Sequence, residues 1–288
     1  MTRTRLDLAL VAALATVCFW ASAFVGIRDA GRHISPGALS LGRLLVASLA
    51  LGALVLARHE PMPARRDLPR LALFGLLWLG AYNVLLNAAE RHVDAGTAAM
   101  LVNVGPVLIA ILAGRLLGEG FPRNLFTGCA IAFGGAILIG IATSERGLDS
   151  VGGAALCLAA AVAYAFGVVV QKPLLAHNSG LSVTFLACVA AAIACLPFGP
   201  RLVHDVGHAP ASAVAWTAYL GLVPTAMGFT TWAYALKRTS AGRMGAFTYL
   251  VPPLAVLLGW IVLSESPPAL ALGGGLLCLA GVAVSRRP

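Results

Sequence analysis

The stretch Ala95-Gly96-Thr97-Ala98-Ala99-Met100-Leu101-Val102-Asn103-Val104-Gly105-Pro106-Val107-Leu108, followed by apolar residues to Gly118-Glu119, occurs twice in kind. Its partner is Ala241-Gly242-Arg243-Met244-Gly245-Ala246-Phe247-Thr248-Tyr249-Leu250-Val251-Pro252-Pro253-Leu254, followed by apolar residues to Ser264-Glu265. The separation is 242 − 96 = 146. At that separation Ala95/Ala241, Gly96/Gly242, Pro106/Pro252, Leu108/Leu254, Leu112/Leu258 and Glu119/Glu265 coincide, and downstream so do Gly128/Gly274 and Gly135/Gly281. Apolar identities carry little weight in so apolar a chain. A proline at the same depth and a glutamate closing each segment carry more.

A proline inside a membrane helix removes one backbone hydrogen bond and crowds the preceding turn. Unpaired backbone groups are costly in lipid, so such breaks persist where they are buried in protein or line a cavity. Interrupted segments at matching places in two halves point to a transporter's binding site. A kink used only for helix packing is the alternative.

Composition sets the frame. The chain has 288 residues, 59% hydrophobic and 11% charged, with a mean hydropathy of +0.89. A soluble domain needs more charged surface than this. Spans of about 20 apolar residues fit near 6–27, 36–57, 68–89, 95–117, 121–142, 151–171, 181–198, 210–235, 243–263 and 267–285. They predict an all-α membrane protein of ten transmembrane helices with no further domain. Residues 1–143 would hold the first five helices and 150–288 the second five. An odd number per half inverts the second copy relative to the membrane.

The net charge of +9 reflects topology rather than nucleic-acid binding. With the N-terminus inside, one side holds Arg3, Arg5, Arg58, Arg65, Arg66, Arg70, Arg115, Arg123, Lys172, Lys237, Arg238, Arg243, Arg286 and Arg287. The other holds only Arg28, Arg32, Arg91, Arg146 and Arg201, and Arg43 lies within a span. Basic residues concentrate on the cytoplasmic side of membrane proteins, so both termini are expected there. Arg3, Arg5 and Ala21-Ser22-Ala23 imitate a signal peptide, but the apolar run reaches Ile27 and includes Phe19 and Trp20. The first helix is therefore expected to be retained. With it kept, Trp20 stands opposite Tyr164 and Arg28 opposite Lys172 in the second half.

Catalytic signatures are absent: there is no Gly-x-Ser-x-Gly, His-Glu-x-x-His or P-loop. The six cysteines fall in apolar spans and show no disulfide or metal spacing. His204 and His208 are four apart, but Gly207 argues against a helix there and the histidines read as loop residues, so no metal site is expected. The glycines of helices five and ten (Gly134-Gly135, Gly140, Gly273-Gly274-Gly275, Gly281) would either pack each half internally or form a dimer face.

The polar and aromatic residues at mid-depth are the candidate binding residues. They are Trp20 in helix one, Trp78, Tyr82, Asn83 and Asn87 in helix three, and Met100 and Asn103 before the first break. Tyr164 in helix six, Trp232 in helix eight, and Phe247 and Tyr249 before the second break complete them. Asparagines in a bundle can also simply join helices, while Tyr219 and Trp260 read as interfacial belt residues. Arg43 sits about 10 Å into helix two at 1.5 Å per residue. It can meet a substrate carboxylate, or snorkel and tie helix ends together.

Trp20-Ala21-Ser22-Ala23-Phe24, Gly42-Arg43-Leu44-Leu45 and the two proline–glutamate segments resemble the EamA family of the drug/metabolite transporter superfamily. The resemblance covers nearly the whole chain. It implies ten helices in two inverted five-helix repeats around a central cavity, alternating access, and a multi-pass place in a bacterial inner membrane. It implies no cofactor, no enzymatic activity and no nucleic-acid partner. Within the family the chain resembles YddG-type exporters of aromatic and other amino acids. A cavity of aromatics, Asn, Thr and Gln suits a neutral or zwitterionic amphiphile. Purines, drug-like compounds or a non-transporting scaffold or sensor are the alternatives, in a monomer or weak homodimer. A cysteine at Ser144 is expected to react quickly with an impermeant maleimide in intact cells, and one at Arg65 slowly. The reverse order would place the termini outside.

Overall fold

The structure is a computed structural model that describes residues 3–92, 98, 101–143, 151–263 and 268–285. Among these residues every regular element is helical. The first half comprises α1 (Arg3–Ala30), α2 (Pro36–Ala57), α3 (Leu68–Phe74), a π-helical segment (Gly75–Ala81), α4 (Tyr82–Ala89), α5 (Gly105–Leu116) and α6 (Arg123–Thr143). The second comprises α7 (Val151–His177), α8 (Gly180–Cys195), α9 (Gly199–His208), α10 (Ala211–Leu220), a second π-helical segment (Gly221–Met227) and α11 (Gly228–Arg238). It ends with α12 (Ala241–Phe247), a 3-10 turn (Thr248–Leu250), α13 (Val251–Leu263) and α14 (Ala269–Ser285).

Seven helical stretches among the described residues are long and apolar enough to cross a membrane: Leu8–Ala30, Pro36–Ala57, Arg65–Ala89, Arg123–Ala142, Val151–His177, Gly180–His208 and Ala241–Leu258. Of the other three expected spans, 95–117 retains α5 and lies partly outside the described residues, 210–235 is the run from α10 through α11, and 267–285 retains the 17 residues of α14. Glu265, the counterpart of Glu119, lies outside the described residues.

Element starts recur at fixed separations. The two π segments begin at Gly75 and Gly221, α4 and α11 at Tyr82 and Gly228, α5 and α13 at Gly105 and Val251, and α6 and α14 at Arg123 and Ala269. Each pair is 146 apart (221 − 75 = 146), whereas Pro36 and Gly180, which open α2 and α8, are 144 apart. Contacts follow the same rule. A Cβ on Gly75 would lie 2.4 Å from the Ala187 carbonyl oxygen, and one on Gly221 would lie 2.8 Å from that of Arg43. Those acceptors are themselves 144 apart.

The glycines of α6 and α14 pack against each other. A Cβ on Gly135 would meet the Gly274 carbonyl at 2.5 Å, and one on Gly128 would meet that of Gly281 at 2.5 Å. The two helices thus cross backbone to backbone, with Cys129, Ala132, Ala136 and Cys278 filling the seam as buried small residues. This face joins the two halves to each other, so it is neither packing within a half nor an exposed dimer surface.

The histidine pair differs from expectation. His204 and His208 lie on α9, with Gly207 inside it, and their rings stack 4.6 Å apart; His177 also ends a helix. A glycine costs an exposed helix only about 1 kcal/mol, and α9 is tied down independently. Buried Asp205 accepts the Ser35 backbone N–H at 2.8 Å and pairs with Arg201 at 2.9 Å. No cluster of three or more potential metal ligands occurs among the described residues. Gly135→Val is expected to lower the melting temperature in detergent by several degrees. Gly134→Ala, where nothing lies within 4 Å of an added Cβ, is expected to be neutral.

Candidate functional site

The two π segments prepare the site. Such segments widen a helix by one residue per turn and leave carbonyls poorly served by their own ladder. In the second, Pro224 has no N–H for the Leu220 carbonyl four residues before it, and the Thr225 hydroxyl donates to that oxygen at 2.7 Å. Directly after the first, Asn83 Nδ2 donates to the carbonyls of Leu79 at 2.9 Å and Trp78 at 3.3 Å. Each polar side chain is thereby fixed with one oxygen left to accept.

Both oxygens are taken by Arg43. Its Nε donates to Thr225 Oγ1 at 3.0 Å and its Nη1 to Asn83 Oδ1 at 2.9 Å. The residue is only 4% exposed, and the sole ion pairs among the described residues are Arg201–Asp205 and His204–Asp205. Arg43 Nη2 makes no hydrogen bond among the described residues. A guanidinium carries five N–H donors in a planar fork, and the face not used by Asn83 and Thr225 borders a cavity of about 110 Å³.

The cavity floor is aromatic. Trp78 lies 4.9 Å from Tyr164 and 4.9 Å from Phe229 between ring centroids, and Trp20 lies 5.8 Å from Trp78. The Trp20 indole N–H donates to the Pro224 carbonyl at 3.1 Å, another group in the π segment. Tyr164 approaches the first break closely: a Cβ on Gly105 would lie 2.6 Å from its ring. Its hydroxyl donates to Thr248 Oγ1 at 3.3 Å in the second break. Val102, Asn103 and Pro106 from one break and Thr248, Val251 and Pro252 from the other line the cavity. The lining extends through Ile27, Leu86 and Ala98 toward the end of the molecule that carries Arg28 and Glu90.

Of the residues singled out from sequence, Trp20, Arg43, Trp78, Tyr82, Asn83, Asn103 and Tyr164 line this one cavity. Trp232, fully buried, lies against it, its ring tilted by 34° at 5.1 Å from that of Trp20 and its indole N–H donating to Gln171 Oε1 at 3.1 Å. Asn87 instead ties α4 to α2, donating to Ser40 Oγ at 3.1 Å. Phe247 and Tyr249 are buried beside the cavity rather than on its wall. The reason is the 3-10 turn at Thr248–Leu250, whose three-residue period brings Thr248 to the wall and turns its neighbours away. Met100 lies outside the described residues.

Three participants were not singled out: Phe24 and Phe229, which complete the aromatic wall, and Thr225, which anchors Arg43. Thr248, among the mid-depth polar residues at the second break, forms the polar edge of that wall. The signal for Thr225 was its place after Pro224, inside a segment that repeats at 146. Glu90 stands one residue beyond α4. Burial pushes its carboxyl up to about 7, with the Arg28 charge opposing, and its Oε1 is buried without a hydrogen-bond partner.

Among the described residues, apolar helices thus enclose a cavity bordered by the buried guanidinium of Arg43. The EamA-like transporter family matches residues 7–141 and again residues 151–287, so the chain belongs to that family. A protein of Streptantibioticus cattleyicolor named a probable terminal-alkyne amino-acid exporter is 42% identical over 283 residues, covering 98% of this chain and 95% of that one. The Bacillus subtilis transporter YdfC is 31% identical, with 91% and 86% covered. A probable amino-acid metabolite efflux pump of Salmonella typhimurium is 25% identical, with 95% and 93% covered. A crystal structure with 19% identity superposes with a TM-score of 0.78 over 96% of both chains, a likeness of fold. The chain is thus a multi-pass membrane transporter.

Thr225→Val removes the acceptor of Arg43 Nε and strands a buried donor, at a cost of about 1–3 kcal/mol. Its melting temperature is expected to fall by several degrees. Thr217→Val, whose hydroxyl bonds only to the Ala213 carbonyl of its own helix, is the control and should lie close to the parent.

Proposed function

We propose that the chain exports amino acids with an apolar, unsaturated or aromatic side chain, by alternating access. The observation that carries this reading is Arg43, a buried guanidinium with no carboxylate partner among the described residues and a donor edge on the cavity. An embedded cation in lipid costs about 2.5–3.5 kcal/mol even on lenient scales. A substrate carboxylate would neutralise it and add two parallel charge-assisted hydrogen bonds. The aromatic floor of Trp20, Trp78, Tyr164 and Phe229 would then receive the side chain, with Asn83, Asn103, Tyr82 and Thr248 around the polar backbone of the substrate. Arg43 favours a carboxylate over a purine or another uncharged metabolite. The names carried by two relatives, a terminal-alkyne amino-acid exporter and an amino-acid metabolite efflux pump, agree with this chemistry.

Alternating access rests on the repeated architecture. Element starts 144 or 146 apart and two family matches of similar length support two five-helix repeats. Inversion follows if each half crosses the membrane five times. With both termini inside, the orientation that the charge asymmetry favours, the cavity would open outward, as in a release state of an exporter.

Proteoliposomes test the assignment. Phenylalanine and propargylglycine flux should be saturable, and Arg43→Ala should lower initial flux per reconstituted protein by about 10–100-fold, the loss of roughly 1.4–2.8 kcal/mol of charge-assisted contact. Arg43→Lys should fall between, since it keeps the charge and loses the planar fork. A folded Arg43→Ala protein with parental flux removes the reading.

A further inference from the structure

Arg28 and Lys172 hold matching positions, 172 − 28 = 144 apart, yet their surroundings differ. Lys172 Nζ donates to the carbonyls of Leu236 at 2.5 Å and Thr239 at 2.6 Å, at the C-terminal end of α11. Helix C-termini leave four carbonyls unserved and carry partial negative charge, so the ammonium satisfies two of them and fastens α7 to α11. On the same side of the molecule, Glu119 accepts the N–H groups of Ala241 at 2.6 Å and Gly242 at 3.0 Å. Gly118 and Gly120 flank it with φ of +67° and +71°, a backbone shape that suits glycine and holds the carboxylate forward. This side is shut.

At the other end the corresponding parts are present and disengaged. The counterpart of Leu236 is Glu90 (236 − 146 = 90), the residue just after α4. Arg28 is exposed and makes no hydrogen bond among the described residues, although its charge bears on Glu90. Glu90 Oε1 is buried with no hydrogen-bond partner, an arrangement that needs an explanation in a native fold. The cavity reaches toward this end.

We infer that Arg28 and Lys172 are alternating gate residues: the cation of whichever side is shut docks on the C-terminal turn of its paired helix, and the other is released. In the state opposite to the one described here, Arg28 donates to the Glu90 carbonyl and carboxylate at the end of α4, and Lys172 lets go of α11. The inference rests on the two-repeat reading above, but no part of it depends on which substrate is carried.

Hydrogen exchange of the full-length protein in lipid nanodiscs, without substrate, tests it. Lys172→Ala should speed exchange across 236–245 by about threefold or more as that side opens. It should also slow exchange across 86–92 by a similar factor, as Arg28 closes the far end. Lys172→Arg should restore the parental pattern. Adding Arg28→Ala to Lys172→Ala should keep the fast exchange at 236–245 and abolish the slowing at 86–92. Exchange in the α6–α14 crossing should be unchanged throughout, which separates gating from unfolding. If Lys172→Ala speeds 236–245 and leaves 86–92 untouched, Lys172 is a local helix cap and the inference fails. Should the exchange pattern hold while proteoliposomes show no amino-acid flux, the substrate assignment fails and the gate stands.

Discussion

Arg43 is the constraint around which the centre is built. A guanidinium this deep in an apolar bundle needs hydrogen-bond acceptors, and the fold supplies two neutral oxygens from opposite halves. Asn83 follows one π segment and Thr225 sits in the other. Each oxygen is rigid because its own group is spent on a carbonyl of the π segment. The cation therefore links both halves at the level of the cavity, while the glycine crossing of α6 and α14 joins them elsewhere by backbone contact. The first junction is polar and able to exchange partners. The second is packed without side-chain freedom and suits a fixed axis.

The broken helices play a different part from the one their sequence suggests at first reading. Proline ends one helical segment and starts another at Gly105 and at Val251, and both breaks reach the cavity wall. The 3-10 turn of the second break presents Thr248, not Tyr249, so the polar edge is a hydroxyl held by Tyr164 and by the Gly245 carbonyl. Tyr249 is left wholly buried with its hydroxyl unpartnered among the described residues.

Much of this was legible in the sequence, for stated reasons. Apolar run length gives spans, because lipid demands it, and a proline and glutamate at one separation give the internal match. Seven of the marked residues share the cavity because aromatic and polar groups at mid-depth need a wet or partnered place to point. The remainder required coordinates. A π segment has no composition of its own, so the Asn83–Arg43–Thr225 bridge could not be read. Whether an asparagine faces a cavity or a neighbouring helix depends on helix rotation, which separates Asn83 from Asn87. Gly207 looked like a helix breaker, but Asp205 anchors α9 to the start of α2 and outweighs one glycine. The glycine seam looked like packing within a half or a dimer face because sequence does not say which partner a small-residue stripe meets.

The central claim is that Arg43 is there to receive a carboxylate. Competition at fixed radiolabelled phenylalanine in proteoliposomes addresses it without altering the protein. Phenylalanine, its carboxamide and phenethylamine share the aromatic ring and the amine, and only the first bears the carboxylate. Loss of a charged hydrogen-bonding partner at a buried site is worth about 1.5–3 kcal/mol, so the two analogues should compete at least about tenfold more weakly than phenylalanine. Equal competition by all three would contradict the account and leave Arg43 as a structural tie between the halves.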